Sequence, residues 1–372
     1  MDIESYSIRF RFEEPLSISF QTFDYSEHIM LLLKDMDSGI EGYGESAAFE
    51  PITKDTKEDN ISYFRMLKRL DDIPLERIGV EDIPDYIPES YSQTSKAGLD
   101  IAMHDIIGKR EGKPVSRLYS TSINRVPNTV TIFIRNAHDT SEKATEILSA
   151  YKGIKAIKIK LQGNEDDFER VRGVVDLCPR GTKFILDANR GFKNKELAID
   201  VVNRILDYTK GVVLLEEPCD CLTLKDMKDI KDNISVPLFA DDSVRTMEDA
   251  EMLVEAEAIG GINIKIQKMG GIAASTRMAE FAAENNIMLM VGCMFETPVS
   301  ISAGVHFAAA TKNVIITDLD YDLELPDYFE GRPKFENGYR VPNTKPGLGV
   351  GPYLEKLKGL ADGRKMMLTQ LI

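Results

Sequence analysis

The sequence predicts an α/β protein built on a closed barrel of parallel strands, and two observations carry this reading. From residue 128 onward eight short apolar runs, VTIFI, IKAIKIK, KFILD, VVLLE, VPLFA, INIKI, IMLMV and VIITD, alternate with helix-compatible stretches. Strands buried on both faces and sheathed by helices produce that pattern. Ahead of it lies a region with a different pattern, strands first and helices after, so a second layer precedes the barrel. Eight strands joined by seven helical connections make a modified TIM barrel of the (β/α)7β type. An open doubly wound sheet would instead offer a glycine-rich crossover after its first strand, and none is present.

In chain order, RFRFEEPLSISF and HIMLLLKD alternate or run apolar around turn-forming residues, as antiparallel strands do. Between residues 55 and 110, ISYFRMLKRL and AGLDIAMHDIIG carry helical spacing, with Gly108 placed to stop the second helix. Residues 1–124 are therefore read as an N-terminal α+β capping domain. Residues 125–321 hold the barrel, its strands separated by helical stretches such as DDFERVRGVVDLC, NKELAIDVVNRILD, MEDAEMLVEAEA, TRMAEFAAEN and VSISAGVHFAAAT. Residues 322–372 are rich in Pro, Gly and Tyr and are expected to return to complete the capping domain.

Composition narrows the function. With 43% apolar and 29% charged residues in 372, the chain is an ordinary globular protein. Lys+Arg 46 against Asp+Glu 61 gives a net charge of -15, which repels a phosphate backbone, so no nucleic acid partner is expected. The charged start MDIESYSIRFRFEEPL lacks a signal peptide's apolar core, and no run approaches the roughly 20 apolar residues of a membrane span. The expected location is cytoplasmic, without membrane contact. The 4 Cys and 4 His are scattered, so a metal, if held, is held by carboxylates.

The chemistry stands where ionisable residues end the apolar runs. Lys158 and Lys160, two apart in IKIK, point to one face of their strand. Asp187 ends the next strand, Glu216 and Glu217 the one after, and Asp241 with Asp242 the third. Barrel active sites assemble at these carboxyl ends. Acidic residues there also suit the start of the following helix, yet three strand ends in register offer oxygen ligands of the kind Mg2+ prefers. Lys265 interrupts the following strand, across the carboxylates from Lys158 and Lys160. Met294 and Glu296 follow the next strand, and Asp318 and Asp320 end the last, where they could receive a cation or simply form a turn.

Taken together, IKIK, LDANRGF, LLEEP, FADDS and NIKIQKMGG resemble the enolase superfamily, and within it the muconate-lactonizing branch that contains dipeptide epimerases of the L-Ala-D/L-Glu type. The resemblance spans nearly the whole chain. It implies that Asp187, Glu216 and Asp241 bind one Mg2+ per active site and that Lys160 and Lys265 are the opposed acid/base residues. It makes Lys158 a supporting cation near the substrate carboxylate that lowers the proton affinity of Lys160. Asp318 and Asp320 match the DxD that holds a dipeptide's ammonium group, and Met294 and Glu296 are expected on the substrate side. In PLSISFQT, Gln21 takes the position of an arginine that would clamp a glutamyl carboxylate, which argues against Ala-Glu as substrate. The implied reaction is 1,1-proton transfer at a dipeptide α-carbon through an enediolate. The alternatives are an o-succinylbenzoate synthase or cycloisomerase of the same branch, and a non-catalytic, metal-stabilised binding protein. A small-molecule partner, a dipeptide, and a homo-oligomeric assembly complete the expectation.

Overall fold

A computed structural model describes residues 1–67, 73–90, 92–121, 125–219, 223–325, 327–352 and 366–371. The expected boundary at residue 124, Cys221 and the end of ISYFRMLKRL lie outside the described residues.

The chain opens with three antiparallel strands, β1 (Asp2–Ile18), β2 (Gln21–Lys34) and β3 (Glu41–Ser46). The register of β1 against β2 slips between Arg11 and Leu16, around Pro15, whose missing N–H cannot serve the ladder. Strand Met366–Gln370 pairs antiparallel with the outer edge of β1, bringing Gln370 opposite Tyr6. Helices α1 (Lys57–Leu67) and α2 (Gln93–Glu111) bury Phe64, Leu99, Met103 and Ile106 against Ile29, Leu31 and Leu33 of the sheet. The α2 helix lies directly on β3 because glycines meet there. A β-carbon on Gly44 would come 1.9 Å from the Gly98 carbonyl oxygen.

Gly108 does not stop α2, contrary to the expectation from sequence. The helix continues to Glu111 and ends at Gly112, whose φ of 66° suits a left-handed cap. Gly108 is glycine for a tertiary reason instead, since a β-carbon there would lie 2.8 Å from the Cα of Gly347.

The barrel has eight parallel strands: β4 (Thr129–Ile132), β5 (Ala156–Lys160), β6 (Lys183–Asp187), β7 (Val212–Glu216), β8 (Leu238–Ala240), β9 (Gly261–Lys265), β10 (Met288–Gly292) and β11 (Val314–Asp318). They neighbour one another in sequence order. A parallel bridge between Asn128 and Thr317 joins the last strand to the first. Seven longer helices connect them, α3 (Ala137–Ala150), α4 (Asp166–Leu177), α5 (Lys195–Tyr208), α6 (Leu224–Asn233), α7 (Met247–Glu255), α8 (Ile272–Glu284) and α9 (Pro298–Ala310), and a single helical turn, Ile266–Met269, directly follows β9. The (β/α)7β architecture read from the apolar runs is the one the chain forms.

Side-chain parity positions the site. Ala156, Ile185, Leu214, Phe239, Met290 and Ile316 plug the barrel interior as one apolar cluster. Side chains two residues further along a strand share its face. Lys158, Asp187, Glu216, Asp241 and Asp318 each stand two residues beyond a member of that plug, so they form the polar layer directly above it. Beyond β11, the fully buried Arg340 donates to the carbonyls of Leu319 at 2.6 Å and Pro333 at 3.0 Å, fastening the C-terminal segment to the barrel rim. No helix among the described residues is long and apolar enough to cross a membrane.

Candidate active site

Asp187, Glu216 and Asp241 are all fully buried, and lysines hold them. Lys158 Nζ reaches Asp187 at 2.8 Å, Glu216 at 2.9 Å and Asp318 at 2.7 Å. Lys160 Nζ donates to Asp187 at 2.6 Å and to Asn189 Oδ1 at 2.8 Å. Across the barrel, Lys265 Nζ donates to Asp241 at 2.7 Å. Three strands, β6 to β8, separate the two lysine-bearing strands, as expected.

These contacts set the ionisation states. Burial alone would lower Lys158, but Asp187, Asp318 and Glu216 outweigh it and hold the ammonium well above its ordinary range. Asp187 faces the opposite balance: burial pushes it up, and Lys158 with Lys160 brings it down to about 2. Lys265 and Lys268 hold Asp241 low in the same way, against its burial. Glu216 is pushed up to about 7 by burial and by Asp187. Glu217, bent into the cluster at φ 39°, is pushed to about 8 by burial and Asp242.

The surplus of negative charge is the test of whether these residues fit a metal ion. Asp187, Glu216, Glu217, Asp241, Asp242, Asp318 and Asp320 outnumber Lys158, Lys160, Lys265, Lys268 and Arg190. Glu216 is raised first by burial and then by Asp187, a like charge beside it. An all-oxygen donor set short of positive charge fits a hard divalent cation.

A cavity of about 70 Å3 opens above this layer. Lys160 and Lys265 both line it, as do Met294, Asp318 and Asp320. Asp320 accepts from the Thr131 N–H at 2.6 Å, and burial with the neighbouring Asp318 pushes it to about 7. Thr129 and Thr131 hydroxyls donate to Asp318 at 3.0 and 2.9 Å. The β1–β2 hairpin closes over the barrel mouth, its Ser19 hydroxyl donating to the Asn189 carbonyl at 2.6 Å. Phe20 at its tip lies under the Arg190 guanidinium, 5.3 Å from ring centroid to carbon.

Three residues expected on the substrate side do not line this cavity. Lys158 lies below the cavity among the carboxylates and is absent from its lining. Glu296 is buried behind the wall, accepting from Ser300 at 2.6 Å and from the Met294 N–H at 2.9 Å, because these partners draw it toward the start of α9. Gln21 lines an adjoining outer cavity, since the hairpin carries it past Phe23 and Phe49.

The sequence reading passed over several residues that the fold brings in. Asn263 Nδ2 donates to Glu216 at 2.8 Å, and Lys268 Nζ reaches Asp241 at 2.9 Å. Asn189, at φ 39°, orients Lys160. Asn263 had a legible signal, a polar residue in an apolar strand at the same parity as Lys265.

Fold and site together define an enzyme of the capped α/β-barrel class, with its polar groups gathered at the carboxyl ends of the strands. The chain belongs to the mandelate racemase and muconate lactonizing enzyme family: residues 3–119 match its N-terminal domain and residues 139–356 the enolase C-terminal domain-like model. An L-Ala-D/L-Glu epimerase of Clostridium acetobutylicum is 31% identical over 323 residues, 84% of this chain and 88% of that protein. An L-Lys-D/L-Arg epimerase of Desulforapulum autotrophicum is 30% identical over 90% of this chain and 94% of its own length. Among solved structures, a dipeptide epimerase of Enterococcus faecalis V583 complexed with Mg and L-Leu-L-Tyr superposes with a TM-score of 0.85 at 26% identity, covering 94% of this chain and all of that one. The chain is an isomerase.

Proposed function

We propose that the protein is a dipeptide epimerase acting by 1,1-proton transfer. The observation that carries this reading is that Lys160 and Lys265, from opposite sides of a buried carboxylate layer, line one cavity whose end wall bears Asp318 and Asp320. An α-proton beside a carboxylate is lost only when the developing enediolate is stabilised. Mg2+ held by Asp187, Glu216 and Asp241 would supply Lewis acidity to the two oxygens. Lys160 and Lys265 do the rest: one removes the proton from one face of the α-carbon and the other returns a proton to the opposite face. Asp318 and Asp320 attract the ammonium group of the first residue and fix which carbon sits between the lysines. Lys158 draws Asp187, Glu216 and Asp318 together and favours the charged form of each, most fully in Asp187 and Asp318.

The relatives' named activities support the class, and their differing substrates at similar identity leave the side chain open. Incubating pooled L,L-dipeptides with the protein and Mg2+ in D2O, with mass spectrometry, tests the reading. Deuterium entering one α-position with inversion is expected. Turnover of a cyclohexadiene carboxylate without dipeptide exchange would favour the synthase, and neither reaction with tight Mg2+ retention the binding protein.

A further inference from the structure

The walls of the cavity between the lysines and the cap are apolar. Ile18 comes from the β1–β2 hairpin, Phe49 and Ile52 from the turn after β3, and Phe295 from the loop after β10. Phe295 is locked in place by rings on several sides, with Phe49 at 5.5 Å, Phe12 and Phe23 at 5.2 Å, and Tyr321 at 5.1 Å between centroids. The charged residues in the lining are Lys160 and Lys265 on the flanks, Asp318 and Asp320 on the end wall, and Glu324, which is exposed. Among the described lining residues there is no other cation.

This geometry leaves one direction for a side chain, given the epimerase reading on which the argument rests. With the α-carbon between the lysines, the substrate carboxylate points down toward the buried carboxylate layer and the ammonium group points to Asp318 and Asp320. The side chain of the epimerised residue then rises to the roof. We propose that the site selects dipeptides whose epimerised residue carries a bulky, uncharged apolar side chain, aliphatic or aromatic, received by Ile18, Phe49, Ile52 and Phe295. A carboxylate in that position would leave water and meet no partner. Beyond the end wall, a cationic side chain would meet in this cavity only Glu324, which is exposed and so pairs weakly, and Asp24 and Glu50 lie past Phe49 and Phe295 in a second cavity that shares those two rings as a wall.

Competition within one pool tests the proposal. The protein with Mg2+ in D2O receives equal amounts of L-Ala-L-Leu, L-Ala-L-Phe, L-Ala-L-Ala, L-Ala-L-Glu and L-Ala-L-Lys, and a matching set with leucine first. Initial deuteration rates then give ratios of kcat/KM. Leucine and phenylalanine dipeptides should exceed the glutamate ones by at least about 100-fold, because an unpaired buried charge is discriminated far more strongly than a change of size. They should exceed the lysine ones at least about tenfold. Glutamate or lysine dipeptides leading the pool would overturn the proposal and leave the epimerase reading standing, whereas no exchange into any member would overturn both. Phe49→Ala, run in the same pool, should lower the L-Ala-L-Phe to L-Ala-L-Ala ratio about tenfold. Such ratios do not depend on the fraction of folded protein, so an unchanged ratio would remove Phe49 from the pocket.

Discussion

Lys265→Ala separates the proton-transfer role of this lysine from any structural one. In the folded protein Lys265 Nζ is 2.7 Å from Asp241, but that carboxylate keeps a second partner in Lys268 Nζ at 2.9 Å. Its removal therefore costs less stability than the roughly 3–5 kcal/mol of a buried charge stripped of its partner. The catalytic cost is a positioned acid/base group, about 10²–10⁴-fold in rate, which corresponds to about 3–5 kcal/mol of barrier. Epimerisation should fall by that factor while the thermal midpoint moves little. Lys160, still held by Asp187 and Asn189, should continue to exchange the α-proton of whichever diastereomer presents it to that face. The assay offers the L,L and L,D forms of one accepted dipeptide separately in D2O. Proton NMR follows washout of the α-signal, and chiral chromatography follows inversion. Lys265→Ala should wash out one diastereomer and Lys160→Ala the other, with inversion lost in both. Washout of both forms by Lys265→Ala, or epimerisation within tenfold of the native protein, would refute the two-base assignment.

Other expectations follow from the same contacts. Stripping divalent ions with EDTA should abolish exchange, and restoring Mg2+ should return it and raise the unfolding free energy by about 2.7 kcal/mol at a hundredfold excess over Kd; a melting curve indifferent to Mg2+ would count against carboxylate ligation. Burial and Asp318 push Asp320 to about 7, so the anionic form proposed to bind the ammonium group declines as pH falls through that value. The pH profile of kcat/KM should lose activity on that acid limb, and Asp320→Asn should flatten the limb and raise KM; an unaltered limb would assign it to another group. Gly108→Ala would set a β-carbon 2.8 Å from the Gly347 Cα and should destabilise the protein by about 1–3 kcal/mol in urea titration. A neutral result would mean that the C-terminal segment yields there.

The barrel was legible because its strands are unbroken apolar runs that end in charge, and a period of two then fixes which charges share the interior. Ile185 to Asp187, Leu214 to Glu216 and Ile316 to Asp318 each repeat one step from plug to polar layer. Residues beyond the strands do not obey that period. Glu296 follows β10 in a loop, where Ser300 and the Met294 N–H decide its direction. Gln21 pairs with Ile18 at the end of the hairpin, past the register slip in β1, where the strand period no longer says which cavity it faces. Gly108 looks like a helix stop until Gly347, 239 positions later, is seen against it.

Lys268 shows the same limit inside the site. It follows Lys265 by three residues, across the change from strand to the short turn Ile266–Met269, where neither a period of two nor a long helical repeat applies. Only the turn brings its ammonium to the second oxygen of Asp241 and to the Asn263 carbonyl at 3.3 Å. That contact changes the meaning of Lys265. A lysine that was the sole countercharge of a buried carboxylate could not release it without leaving an unpaired charge, at a cost of several kcal/mol. With Lys268 holding one oxygen of Asp241, the other oxygen can lose Lys265 to the substrate while the carboxylate keeps a partner. A lysine that turns toward a carbon in the cavity, as we propose for Lys265, needs a second lysine that does not line it, and the helical turn directly after its strand supplies one.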